Sequence, residues 1–335
     1  MWALRGVQVD PAAVEAVRAA LREPNSEPDP WRPAWRVLNV VAGIVPFPLS
    51  RMAADAVIDL RTAPGGRVLP RALDDPTVAG RVLWTRDAYG SRFGVTAAFV
   101  TSNGAQRWYL WDIDACGYLA LTVHSAYYPT PEQALAAWQS GVGDVAAAGT
   151  AFTAVDDASL LAQLMPAEEG LLRAGSENCE QFAEYHRSKR LAEAAIEAVG
   201  DTSCQPQSYL DASSAATQFG AWIRAHRADE PQPAELDELI TELADSWQVS
   251  NVAALYSTCS PHRVALTVLH VRDYYKDDFA EQLIALLPDW TCWLTTRNRL
   301  APQLAQRCRP YALGEPHADL GTDHSRPHYL ARVIE

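Results

Sequence analysis

QRWYLWDIDACGYLALTVHSAYYPTPEQALAAW, residues 106–138, decides the fold class. Its first half alternates in the manner of a strand, breaks at Ala115-Cys116-Gly117, and resumes alternation to Tyr128. A three-residue loop with Gly117 in the left-handed position gives a register that sets Trp111 opposite Leu121 and Ile113 opposite Leu119. Tyr109, Trp111, Ile113, Leu119, Leu121 and Val123 then share one apolar face, and Phe99, Trp108, Leu110 and Tyr118 line the other. Thr130 caps the helix that follows, with Pro131-Glu132 in its first turn and Ala134, Leu135 and Trp138 on its buried stripe. Upstream, Asn103-Gly104 is a two-residue hairpin signal that pairs Phe99 with Trp108 and Ala97 with Leu110. The expectation is a small antiparallel β-meander over about residues 82–125.

Working outward, the other segments read mostly as helix. Asp10-Pro11 opens a helix striped by Val14, Val17 and Leu21. A proline-rich linker covers residues 24–33, short helices follow at 34–44 and 50–60, and Pro64-Gly65-Gly66 turns the chain. Phe182, Tyr185, Ala192, Ile196 and Val199 repeat with helical spacing, and further helices are expected at 208–227 and 234–247. Arg263 to Val271 reads as a strand feeding a helix at 275–287, then a short helix at 299–308 and a polar tail beyond Pro310. The fold class is therefore α+β, a meander packed by helices and then a helix-rich region with at least one further strand. The break at 200–207 divides a mixed region, 1–200, from a mostly helical one, 201–335.

Composition narrows the function classes. The net charge of −13 opposes general attraction to nucleic acid. Lysine occurs only at Lys189 and Lys276, so arginine supplies nearly all the positive charge, the usage of a GC-rich bacterial genome. Six scattered cysteines without CxxC spacing read as free thiols of a reducing cytosol. The longest apolar run, Val37 to Leu49, is broken by two prolines and is too short to span a bilayer. The expectation is cytoplasmic, with no membrane partner.

Chemistry-bearing residues fall into a few groups. Asp112 and Asp114 alternate onto one face of a strand end, where two carboxylates can share Mg²⁺ or Mn²⁺ for phosphoryl or nucleotidyl transfer. Over its four residues, Trp111-Asp112-Ile113-Asp114 resembles the metal motif of primase-type polymerases, which implies a third acid and phosphate-binding His or Lys groups nearby. In the expected register His124 stands opposite Trp108, roughly 13 Å from Asp112, outside any shared site. Solvated, turn-favouring aspartates explain the pair without chemistry. His317, His324 and His328, with Asp319 and Asp323 between them, are the candidate zinc ligands. Cys259-Ser260-Pro261-His262 brings a thiol and an imidazole together in sequence.

The chain holds 11 tryptophans, several in pairs, which makes it tryptophan-rich. Trp290, Trp293, Arg297, Arg299, Arg307 and Arg309 form the candidate interaction surface, four arginines without an acid from Trp290 to Gly314. Seven acids and no base from Asp229 to Asp245 form its counter-patch. Phosphate loops, G-x-S-x-G elbows and HExxH helices do not occur in the sequence. The functional expectation is a non-enzymatic protein that binds a protein partner, within a nucleic-acid-associated assembly in one form, and that needs no cofactor. The alternatives are metal-dependent transfer at Asp112 and Asp114, and nucleic-acid binding through the Trp/Arg group.

Overall fold

Apolar and aromatic residues at strand spacing draw 92–100 and 106–114 into the middle of a sheet. The computed structural model of the chain describes residues 11–22, 35, 37–39, 41–42, 49–62, 76–100, 106–117, 120–165, 179–200, 209–228, 234–248 and 252–317. It divides into two units, one made of 1–77 with 175–191 and the other of 78–174 with 192–335. The meander and the C-terminal helices thus belong to one unit, where the sequence places them in separate regions. The linker 24–33, the turn 64–66, Asn103-Gly104, residues 201–207, His324 and His328 lie outside the described residues.

In the first unit, helices α1 (Pro11–Arg22) and α2 (Leu49–Thr62) pair. Trp35, Leu38 and Val41 pack with Ala53, Ala56, Val57 and Leu60 into its core, and Arg18 of α1 forms an ion pair with Asp59 of α2.

The second unit carries an antiparallel five-stranded sheet of order β4-β3-β2-β1-β5. Its strands are β1 (Leu83–Arg86), β2 (Arg92–Val100), β3 (Gln106–Asp114), β4 (Leu121–Tyr128) and β5 (Thr153–Ala154). The α+β class and the meander are as the sequence leads one to expect, but both registers differ from the expected ones. Phe99 pairs with Arg107 and Ala97 with Tyr109, one residue away from the expected partners. Between β3 and β4, Asp114 pairs with Leu121 and Ile113 with Thr122, and a bulge after Asp112 sets Asp112 against His124. The connection is longer than three residues because Ala115 and Cys116 leave the strand to be buried. The Ala115 amide donates to the Ser91 carbonyl, and the Cys116 amide donates to Asp114 Oδ1 at 2.8 Å. Phe99 consequently stands edge-on to Trp111, 6.2 Å between ring centres, on the opposite face from Leu110.

Helix α3 (Pro131–Val142) starts where Thr130 accepts from the Gln133 amide and lies on the Leu110 face. Gly94 makes room for it, since a Cβ there would stand 3.0 Å from the Trp138 indole. Short α4 (Ala158–Leu164) and α5 (Cys179–Val199) precede the bundle α6 (Ala212–His226), α7 (Leu236–Trp247), α8 (Pro261–Tyr274), α9 (Asp277–Arg297) and α10 (Pro302–Ala312). Phe219, Leu243, Trp247, Val264, Val268, Leu287 and Trp290 meet in its core, which Tyr89 and Ala146 of the sheet region join.

The strand expected over Arg263–Val271 is instead α8. Ser260 Oγ accepts from the Arg263 amide, Pro261 occupies the first turn, and Val264, Val268 and Val271 recur at helical spacing on the buried face. The β-branched run misleads because its alternation and its helical period coincide over nine residues. No helix among the described residues is long and apolar enough to cross a membrane.

Candidate functional site

The start of β2, the end of β3, the C-terminal half of α3, the N-terminus of α8 and one side of α10 surround one cleft of 960 Å³. Asp87, Arg92, Asp112, Asp114, Cys116, His262, Arg307 and His317 line it. Each is placed by a local device. Asp87 closes the β1–β2 turn: its Oδ1 accepts from the Ser91 and Arg92 amides at 2.8 and 3.0 Å, while Gly90 adopts φ 76. Asp114 folds back on the Cys116 amide in an Asx-type turn. His262 is fixed by the first turn of α8, and that turn is held by Arg263. The Arg263 guanidinium is fully buried, donates to the Leu255 and Trp247 carbonyls and to Thr258 Oγ1, and lies 4.9 Å over the Trp247 ring.

Asp112 and Asp114 do share a face and are both buried, 2% and 9% exposed, so the solvated-turn explanation fails. They are nevertheless partnered separately. Arg92 Nε and Nη2 donate to the two oxygens of Asp112, each at 2.8 Å, a bidentate pair that satisfies this carboxylate. Gly141 of α3 gives the pair its space, its own Cβ position being 3.2 Å from Asp112 Oδ2. Asp114 Oδ2 instead lies 3.4 Å from His262 Nδ1. Cys116 Sγ is 3.2 Å from Ser260 Oγ. The ligand atoms of Asp114, Cys116 and His262 all fall within 4.8 Å of one another.

The electrostatics separate these groups. Burial alone would raise Asp114, but the hydrogen bond from His262 and its charge, the Cys116 amide and Arg92 outweigh it and hold the carboxyl at about 2. Burial pushes Asp87 up to about 6, against the hydrogen bonds from the Arg92 and Ser91 amides. The Cys116 thiol is driven well above its ordinary value, first by burial and then by the Asp114 charge.

The candidate interaction surface is dispersed. Trp290 and Trp293 are 0% and 6% exposed and pack on Phe219. Their indoles are core, and so are unavailable to bases or a partner. Arg297 is exposed and donates to Gln218, Arg299 is an exposed residue with φ 52, and Arg309 is exposed. Arg307 lines the cleft. Of the three candidate zinc histidines, His317 also lines it, its ring centre 5.3 Å from that of His262.

Sequence reasoning missed Asp87, Arg92 and Cys116 as site residues. It sets His262 beside Cys259, yet the thiol of the site is Cys116, 146 positions earlier in the chain. Ser260-Pro261 carries the signal that would have placed His262 at the start of a helix. The Cys116 contact is long-range and has no sequence signature. His124 pairs directly with Asp112 across the bulge, a correction to the expected 13 Å separation, but it is exposed and bonded to Tyr128. No family model matches the chain, and no curated protein or solved structure is significantly similar to it.

Proposed function

We propose that the cleft is the active site of an enzyme that uses a divalent transition metal held by Asp114, Cys116 and His262. The single observation that carries this reading is the meeting of a carboxylate, a thiol and an imidazole from two distant segments at the wall of one cleft. Around zinc, bonds of about 2 Å at the tetrahedral angle put neighbouring oxygen and nitrogen ligands roughly 3.3 Å apart. Asp114 Oδ2 and His262 Nδ1 already stand at 3.4 Å. A thiolate–imidazole–carboxylate set suits zinc over magnesium, because soft sulfur and borderline nitrogen donors disfavour a hard cation. The magnesium site expected of Asp112 with Asp114 is less well supported, since the Arg92 guanidinium occupies both oxygens of Asp112.

Three protein ligands facing a cleft are the pattern of a catalytic zinc, which leaves a position for water or substrate. A metal there supplies Lewis acidity and lowers the pKa of a bound water toward neutrality. The chain's own groups do the rest. Asp112 neutralises Arg92 and keeps it in place. Asp87, on the same cleft, is a group able to exchange a proton near neutral pH.

Hydrolysis of 4-nitrophenyl acetate and bis(4-nitrophenyl) phosphate by the full chain, with and without Zn²⁺, tests the reading. Zinc-dependent, chelator-reversible turnover of one of them is expected, falling roughly 100-fold in Cys116→Ala. Absence of any zinc-dependent turnover, or turnover unchanged in a folded Cys116→Ala, would contradict it.

A further inference from the structure

The end of α10 is built to return the chain to this cleft. The Glu315 amide donates to the Pro310 carbonyl and the Gly314 amide to Tyr311, the two bonds of a Schellman cap, with Gly314 at φ 89. A Cβ on Gly314 would stand 3.2 Å from the Arg272 guanidinium, so the turn is held from outside as well. Three residues later the ring centre of His317 lies 4.9 Å from that of Tyr311 and 5.3 Å from that of His262.

We propose that His317 is a fourth, displaceable ligand of the metal centre, an inference that rests on the metal reading above. Zinc–nitrogen bonds of about 2.0 Å put each imidazole centre roughly 3.2 Å from the metal, so two such rings at the tetrahedral angle sit roughly 5.2 Å apart. The observed separation of His262 and His317 is 5.3 Å. His317 is outside the group of three whose ligand atoms lie within 4.8 Å of one another, so it joins the metal by a small ring movement and leaves by the reverse. With His317 bound, four protein ligands close the tetrahedron and no position is left for water; with His317 off, the centre is open. Residues 313–317 thus carry a cap for the site, and an incoming substrate exchanges with the His317 imidazole.

Cobalt substitution of the full chain separates this inference from the metal reading. In wild type we expect one Co²⁺, a tetrahedral visible spectrum with a sulfur-to-cobalt band, and little change on adding azide. In His317→Ala we expect one Co²⁺, retention of the sulfur band, and a spectrum that azide shifts. Identical spectra and identical azide responses in the two proteins would overturn the role of His317 while leaving the three-ligand centre intact. Failure of both proteins to bind cobalt would overturn the centre itself. Zinc-edge X-ray absorption of wild type needs no variant: two imidazoles per zinc are expected, and one would overturn the proposal.

Discussion

At the scale of single residues, the cleft holds carboxylates whose surroundings drive them in opposite directions. Asp114 stays ionised because His262, the Cys116 amide and Arg92 favour its charge. Asp87, also buried, accepts from backbone amides and has no cation as a direct partner among the described residues, and burial prevails. The consequence for stability follows from linkage. Asp87 titrates at about 6 in the folded chain against 3.8 as its ordinary value, so the folded state binds its proton more tightly. The associated stability is fully present below pH 3.8 and is lost as pH rises through about 6. Asp87→Asn keeps an oxygen for the Ser91 and Arg92 amides but carries no charge. Denaturant unfolding should find it more stable than wild type by about 3 kcal/mol at pH 7.5 and equal to it at pH 3.5. A pH-independent difference would sink this account of Asp87. Asp114 has the opposite sign: its contribution is present above pH 3.8 and is lost as pH falls through about 2.

At the scale of elements, the start of α8 depends on one buried cation. Among the described residues Arg263 has no acidic partner; carbonyls of Leu255 and Trp247, a threonine hydroxyl and an indole face surround it. Its pKa falls to about 10, chiefly through burial. Arg263→Met would leave those carbonyls without a donor at a cost of roughly 3 kcal/mol. It should also loosen residues 255–262, which amide hydrogen exchange would detect as faster exchange there than in the rest of α8. Uniform exchange across the helix would argue that Arg263 only fills space. The same element marks where sequence reading succeeds and where it stops. The cap at Thr130, the stripe of α7 and the existence of the meander are local, encoded in residues a few positions apart, and they are legible. The strand assigned to Arg263–Val271 fails because a β-branched run fits both periods, and the Ser260-Pro261 cap that decides between them lies just outside it. Register fails for a different reason. The three-residue loop at Ala115-Cys116-Gly117 is the simplest turn, but Ala115 and Cys116 are taken up by contacts with Ser91 and α8 that alternation cannot reveal.

At the scale of the molecule, the sheet and the C-terminal bundle belong to one unit, and the candidate site exists only through that arrangement. Asp112 and Asp114 were visible as a pair in the sequence, but their partners were not. Arg92 lies across one strand pairing from Asp114, and His262 is more than a hundred residues away. Trp290 and Trp293, the tryptophans that suggested a binding surface, are instead buried in the core. The most direct measurement is calorimetric titration of Zn²⁺ and Mg²⁺ into the full chain and into folded Cys116→Ala and His262→Ala variants. The account predicts one tightly bound zinc per wild-type chain, greatly weakened binding in both variants, and no comparable magnesium site. No stoichiometric zinc in wild type, or equal zinc affinity in all three proteins, would contradict it.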